Sequence, residues 1–119
     1  DAVASEIMHI GDLGAGTTIK LVNNYLAAGM VAIISEALSF GIKSGVALEQ
    51  IIALSDKTGT SNKVLNTVLP RKVFHGDYSP GFASRLAAKD HRLAMSLARE
   101  AGADAAASRC PGSWLQRMA

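Results

Sequence analysis

One stretch of this sequence limits the possible folds more than any other. From about Leu13 or Thr17 to Phe40 the residues repeat with a helical period and carry almost no charge. Leu21, Tyr25, Ala28, Ala32 and Ser35 share one face; Val22, Leu26, Met30, Ile33 and Ala37 share another. Apolar residues thus cover most of the circumference, which predicts a central helix buried on several sides. About 25 residues rising roughly 1.5 Å each make a rod of nearly 40 Å. Gly41 and Gly45 punctuate its end, and Lys43 complements the dipole there.

The rest of the chain predicts shorter helices. One covers Leu48 to Ser55. A second runs from about Ser61 to Phe74, where Pro70 must kink or end it. A break follows at residues 75–82, then a helix over about Ala83 to Ala101 with Leu86, Leu93, Leu97 and Ala98 facing the core and Gly102 closing it. Short helices are expected on either side of Pro111 and Gly112. Residues 1–10 read as a lead-in, a brief strand or an extended arm. No alternating strand pattern of useful length occurs, so the class is all-α, one domain over residues 1–119: a long central helix with about four to five shorter helices packed round it.

Composition bounds the function. At 119 residues, 49% hydrophobic and 18% charged, the chain can bury a core and is no disordered tail. Aromatics are 5%, and the Ala, Leu, Ile, Val and Met content favours close-packed helices. A formal charge of +2 with no block of like charges argues against nucleic acid. Cys110 is the only cysteine, so there is no intrachain disulfide, and a reducing compartment is expected, the cytoplasm or the mitochondrial matrix. The chain opens on Asp1 and Glu6 rather than a basic leader, and not on Met, as a piece of something longer would. Its longest uncharged run, Leu21 to Ser35, is shorter than the about 20 apolar residues of a membrane span and includes two asparagines, so no membrane partner is expected.

Ahead of and inside the long helix stands a second signal: Gly11, Gly14, Gly16, Lys20 and Asn24, in the pattern G-x-x-G-x-G-x-x-x-K-x-x-x-N. Residues four apart share a helix face. A cation and an amide on one face of an apolar helix suggest a catalytic site, or else a solvated face beyond a glycine-rich turn. Asn23 points about 100° away. The glycine spacing is not that of a dinucleotide loop, which also needs a strand before it. His9, His75 and His91 have no metal-ligand spacing with Cys110 or one another, and no metal is expected.

This pattern resembles the signature of the β-hydroxyacid dehydrogenases, which include 3-hydroxyisobutyrate dehydrogenases and tartronate semialdehyde reductases. The resemblance runs from about His9 to Ala103. After the long helix come Glu36-Ala37-Leu38 and Gly41 to Gly45, much as in the family. Asp77-Tyr78-Ser79-Pro80-Gly81-Phe82 looks like its G-D-F-x-P-x-F segment, and Lys89-Asp90 like its K-D-L element, with His91 where Leu is usual. The tail after Gly102 departs from the family's pattern.

The resemblance implies a helical C-terminal domain similar to that of 6-phosphogluconate dehydrogenase, with the family's N-terminal Rossmann domain absent from this chain. It implies an NAD- or NADP-dependent oxidoreductase that reversibly oxidises a 3-hydroxy acid to its semialdehyde, the cofactor being bound mainly by the missing half and the isolated chain being inactive. Lys20 would be the general acid/base, since withdrawing an ammonium from water favours its neutral form. Asn24, and with less support Asn23, would bind substrate. Lys89 would reach the nicotinamide half of the cofactor, and Phe82 would line the cleft. Asp90 would orient Lys89 or cap backbone. Partners would be the Rossmann domain and a second copy of the chain, as a homodimer or larger homo-oligomer. The alternative is a non-catalytic helical dimerisation or interaction module on the same fold.

Overall fold

The computed structural model describes residues 6–79 and 81–106, and among them every regular element is helical. The long helix, α1, spans Ala15–Lys43. It begins at Gly14, whose φ is +98°, with no side-chain cap. It ends in a Schellman turn: Val46 N–H donates to the Gly41 carbonyl and Gly45 N–H to that of Ile42. Residues 6–10 form no strand.

Helix α2, Leu48–Asp56, folds back against the end of α1. Gly41 permits the approach, because a Cβ there would lie 2.9 Å from Ile51 Cδ1. The single helix expected over 61–74 is instead three pieces. A π-helical turn covers Val64–Val68, a short helix α3 covers Leu69–Arg71, and a 3₁₀ turn covers Val73–His75. Pro70 explains the division, since it lacks an N–H and its ring crowds the carbonyl four residues back. At the start, Asn62 Oδ1 accepts from Leu65 N–H and Asn66 Oδ1 from Asn62 N–H, each at 3.0 Å. Ile34 and Leu38 of α1 and Leu65 form the core cluster, with Leu48, Ile51, Ile52, Val64, Leu69 and Phe74 round it.

Helix α4, Ser84–Glu100, lies along the first half of α1. It ends as α1 does, with Ala103 N–H bonded to Ala98 O and Gly102 N–H to Arg99 O. Its buried face is only partly the expected one, with Leu97 and Ala98 half-buried. Ala88, Asp90, His91 and Ala94 are buried, while Leu86 and Leu93 are exposed. Small side chains let α4 come close to α1, and the polar ones find partners there. His91 stacks on Tyr25 of α1, ring centroids 5.8 Å apart and 18° from parallel.

Helix α1 is also less covered than its composition suggests. Only Leu21, Ala32, Ile34 and Leu38 of its residues are buried, because two neighbours on two sides leave a third side open. By length and composition alone this 29-residue helix, with an 18-residue stretch of mean hydropathy 1.7, is long and apolar enough to cross a membrane, a test that core helices of soluble proteins also pass. The helices expected round Pro111 and Gly112, and Cys110, lie outside the described residues.

Candidate functional site

Lys20 and Asn24 occupy successive turns in the first half of α1, where α4 packs. The Asn24 side chain crosses to α4. Its Nδ2 donates to Asp90 Oδ2 at 2.8 Å, joining residues 66 positions apart. Asp90 is 5% exposed. Its other oxygen, Oδ1, is 2.9 Å from Lys89 Nζ. The Lys89 ammonium holds the Asp90 carboxyl below the usual carboxylate range, burial opposes this, and the Asn24 amide and the Lys20 charge add to the lowering. Asp90 is therefore an anion at neutral pH, held by an amide and a cation with a second cation near.

Asn24 uses one of its two N–H groups on Asp90, leaving the other N–H and the carbonyl oxygen as a donor and an acceptor for a ligand. Asn24, Asp90, Ala27, Ala28, Val31, Phe82, Ser84 and Ala87 line an open cavity of about 280 Å³ between the two helices. Its walls are mostly small apolar side chains, and its polar groups are few and convergent, the composition of a site for one end of a ligand.

The segment before α4 delivers Phe82 to this cavity. Lys72 Nζ donates to Ser79 O at 2.9 Å and to Ser79 Oγ at 3.1 Å, and lies 3.6 Å from Asp77 Oδ2. Asp77 Oδ1 accepts from Ser79 N–H at 2.9 Å. The Ser79 hydrogen bonds hold the Asp77 carboxyl below its ordinary range. Asp77 thus closes a turn locally.

Each residue singled out in the sequence has a definite place. Asn24 and Phe82 line the cavity. Lys89 is half exposed at its edge, paired to Asp90. Lys20 is exposed, near enough for its charge to act on Asp90. Asn23 is exposed and joins none of these contacts. Sequence reasoning gave Asp90 a minor part, yet it is the hub. The signal available was its register: three residues after Ala87, four before Ala94, it falls on the small-residue face of α4. Among the described residues no cluster of His, Cys, Asp and Glu could hold a metal.

The family described as NAD-binding of NADP-dependent 3-hydroxyisobutyrate dehydrogenase matches residues 14–118. The chain is 33% identical over 82% of its length to 2-(hydroxymethyl)glutarate dehydrogenase of Eubacterium barkeri. It is 33% identical over 78% to 3-hydroxyisobutyrate dehydrogenase of Pseudomonas aeruginosa, and 30% identical over 83% to 3-sulfolactaldehyde reductase of Escherichia coli. It spans 33% of the length of each of these relatives.

Proposed function

The chain belongs to the family of NAD-binding domains of NADP-dependent 3-hydroxyisobutyrate dehydrogenase, whose cofactor is NAD or NADP, and from that premise we propose that it is the helical C-terminal part of an oxidoreductase interconverting a 3-hydroxy acid and its semialdehyde. The observation that carries this reading is the buried Asp90 carboxylate, bonded to half-buried Asn24 and paired with exposed Lys89, where Asn24 and Asp90 line an open cavity and the Lys20 charge is near. A cavity of about 280 Å³ sits at the small end of ligand sites, about 300–1,000 Å³. It takes the nicotinamide end of a dinucleotide or a small acid, not a whole dinucleotide. The bulk of the cofactor then rests on a Rossmann domain roofing this face of α1.

The cofactor supplies the acceptor for hydride in oxidation and the donor in reduction. In oxidation the carbinol C–H bond breaks with its electron pair leaving as hydride. The hydroxyl proton passes to the amine of Lys20, the general base of this reading, and the carbon–oxygen double bond forms. Reduction reverses each transfer, with Lys20 as acid. The remaining N–H and carbonyl of Asn24 hold the substrate's oxygen functions. Asp90 positions Asn24 and keeps a negative charge near two lysines. Lys89 contacts the polar edge of the nicotinamide half, and Phe82 walls the cleft. Asn23, exposed and outside the cavity, is at most a second-rank substrate contact.

The test uses the chain joined to its Rossmann half and a panel of 3-hydroxy acids. Lys20→Ala should lower kcat by about 10²–10⁴-fold with cofactor affinity unchanged. Asn24→Ala should act mainly on KM. Full turnover in the Lys20→Ala variant overturns the assignment. A second reading, a non-catalytic helical interaction module on the same fold, draws on the exposed apolar side of α1. Turnover of any 3-hydroxy acid by the joined protein excludes it.

A further inference from the structure

Phe82 lines the cavity yet is 57% exposed, so its own packing does not fix it there. What can fix it lies upstream. Lys72 stands between Leu69 and Phe74, which both pack on the core cluster, so its backbone is anchored. Its carbonyl oxygen accepts from Asp77 N–H at 3.1 Å. Its ammonium reaches seven residues ahead and donates to the Ser79 carbonyl and hydroxyl. Asp77 closes the group from the other side, with one carboxylate oxygen on Ser79 N–H and the other toward Lys72 Nζ. Gly76, at φ +76°, makes the turn between them.

We propose that Lys72 is a positioning residue: its ammonium clasps the 77–79 turn to the core and thereby holds Phe82, three residues on, at the cofactor cleft. Two features set this clasp apart from an ordinary surface ion pair. One ammonium serves three acceptor atoms in a single turn, two on Ser79 and one on Asp77, whereas an isolated pair joins only two side chains. The far side of Phe82 is fixed as well, because α4 begins at Ser84 and is tied to α1 through Asp90 and Asn24. Phe82 thus stands between two tethers, and releasing one returns conformational freedom to it.

Solvent sets the strength. The Lys72 side chain is 35% exposed and that of Asp77 is 49% exposed. Ion pairs so placed contribute little to global stability, so the clasp does not hold the fold together. The same small energy is enough to bias one loop, and its loss changes an affinity by about fivefold. On the dehydrogenase reading, on which this rests, Phe82 walls the cleft that takes the nicotinamide half. The loss then falls on the KM for cofactor, while proton transfer at Lys20 proceeds as before.

Steady-state kinetics of the chain joined to its Rossmann half test this. Lys72→Met keeps the aliphatic stem and should raise the KM for cofactor about fivefold, with kcat and helix content unchanged. Lys72→Arg should restore KM. Arg71→Met, which removes the neighbouring exposed charge, should leave KM as it is. In a Phe82→Ala background Lys72→Met should add nothing further, because the side chain through which it acts is gone. Four results overturn the assignment: an unchanged KM in Lys72→Met, an equal rise in Arg71→Met, a full additional rise in the Phe82→Ala background, or a fall in kcat that tracks lost helix content. Turnover by the wild type separates the two levels. With turnover present and Lys72→Met without effect, only the clasp fails; with no turnover of any 3-hydroxy acid, the dehydrogenase reading fails and takes the clasp's role with it.

Discussion

Burying a carboxylate is unfavourable unless donors and cations compensate for lost water. Asp90 meets that condition with the Asn24 amide at 2.8 Å and the Lys89 ammonium at 2.9 Å. Replacing it by alanine strands the amide and cuts the polar tie between α1 and α4. Asp90→Ala should lower unfolding free energy by about 1–3 kcal/mol in urea denaturation, and Asp90→Asn by less. The pH dependence has a definite sign. Asp90 and Asp77 both titrate below the ordinary carboxylate range in the folded chain. Their stabilisation is therefore complete above about pH 4 and is lost as pH falls through the folded values. The urea midpoint should hold from pH 7 to about 4 and fall below that. Asp90→Asn should show a smaller acid loss than the wild type.

The elements were legible where local chemistry decides them. Both long helices end on a glycine at positive φ, Gly45 at +89° and Gly102 at +70°, and each closes a Schellman turn that marks the boundary in sequence. A Cβ there is strained at about 1–2 kcal/mol. Gly45→Ala should cost about that in thermal or chemical unfolding, and a neutral result would show that the turn rearranges. The 61–74 region was less legible. Pro70 announced a break, but a proline does not say whether the helix before it stays α or widens to a π turn. The face of α4 was legible only in part: of the four residues expected inward, Leu97 and Ala98 are half-buried, while Leu86 and Leu93 are exposed, because amphipathicity counts every leucine as core. Here the face with Asp90, His91 and alanines packs on α1, and Leu86 and Leu93 remain outside. Partner chemistry on α1, an amide and a tyrosine ring, outweighed hydrophobicity on α4.

At the scale of the molecule the core is thin. No large side chain among the described residues is less than 2% exposed, and the radius of gyration is 16.5 Å, where a compact domain of this length takes about 13–14 Å. Among the described residues much of the apolar surface is left uncovered. The cluster of Ile34, Leu38 and Leu65 carries much of the fold, so Leu65→Ala should cost about 2–5 kcal/mol and unfold a large fraction of the isolated chain, visible as lost ellipticity at 25 °C.

Periodicity, proline and glycine placement, and the spacing of Lys20 and Asn24 were enough to establish a helical chain, its principal boundaries and one helix face bearing a cation and an amide. These are matters of neighbours within a few residues, where backbone sterics and helical repeat operate. Which face of α4 turns inward, that Asp90 draws Asn24 and Lys89 into one group, and that a whole side of α1 is left bare were decided only in three dimensions. They depend on how closely two rods approach and which polar atoms lose water when they do, and those quantities exist only once residues 66 positions apart have been brought together.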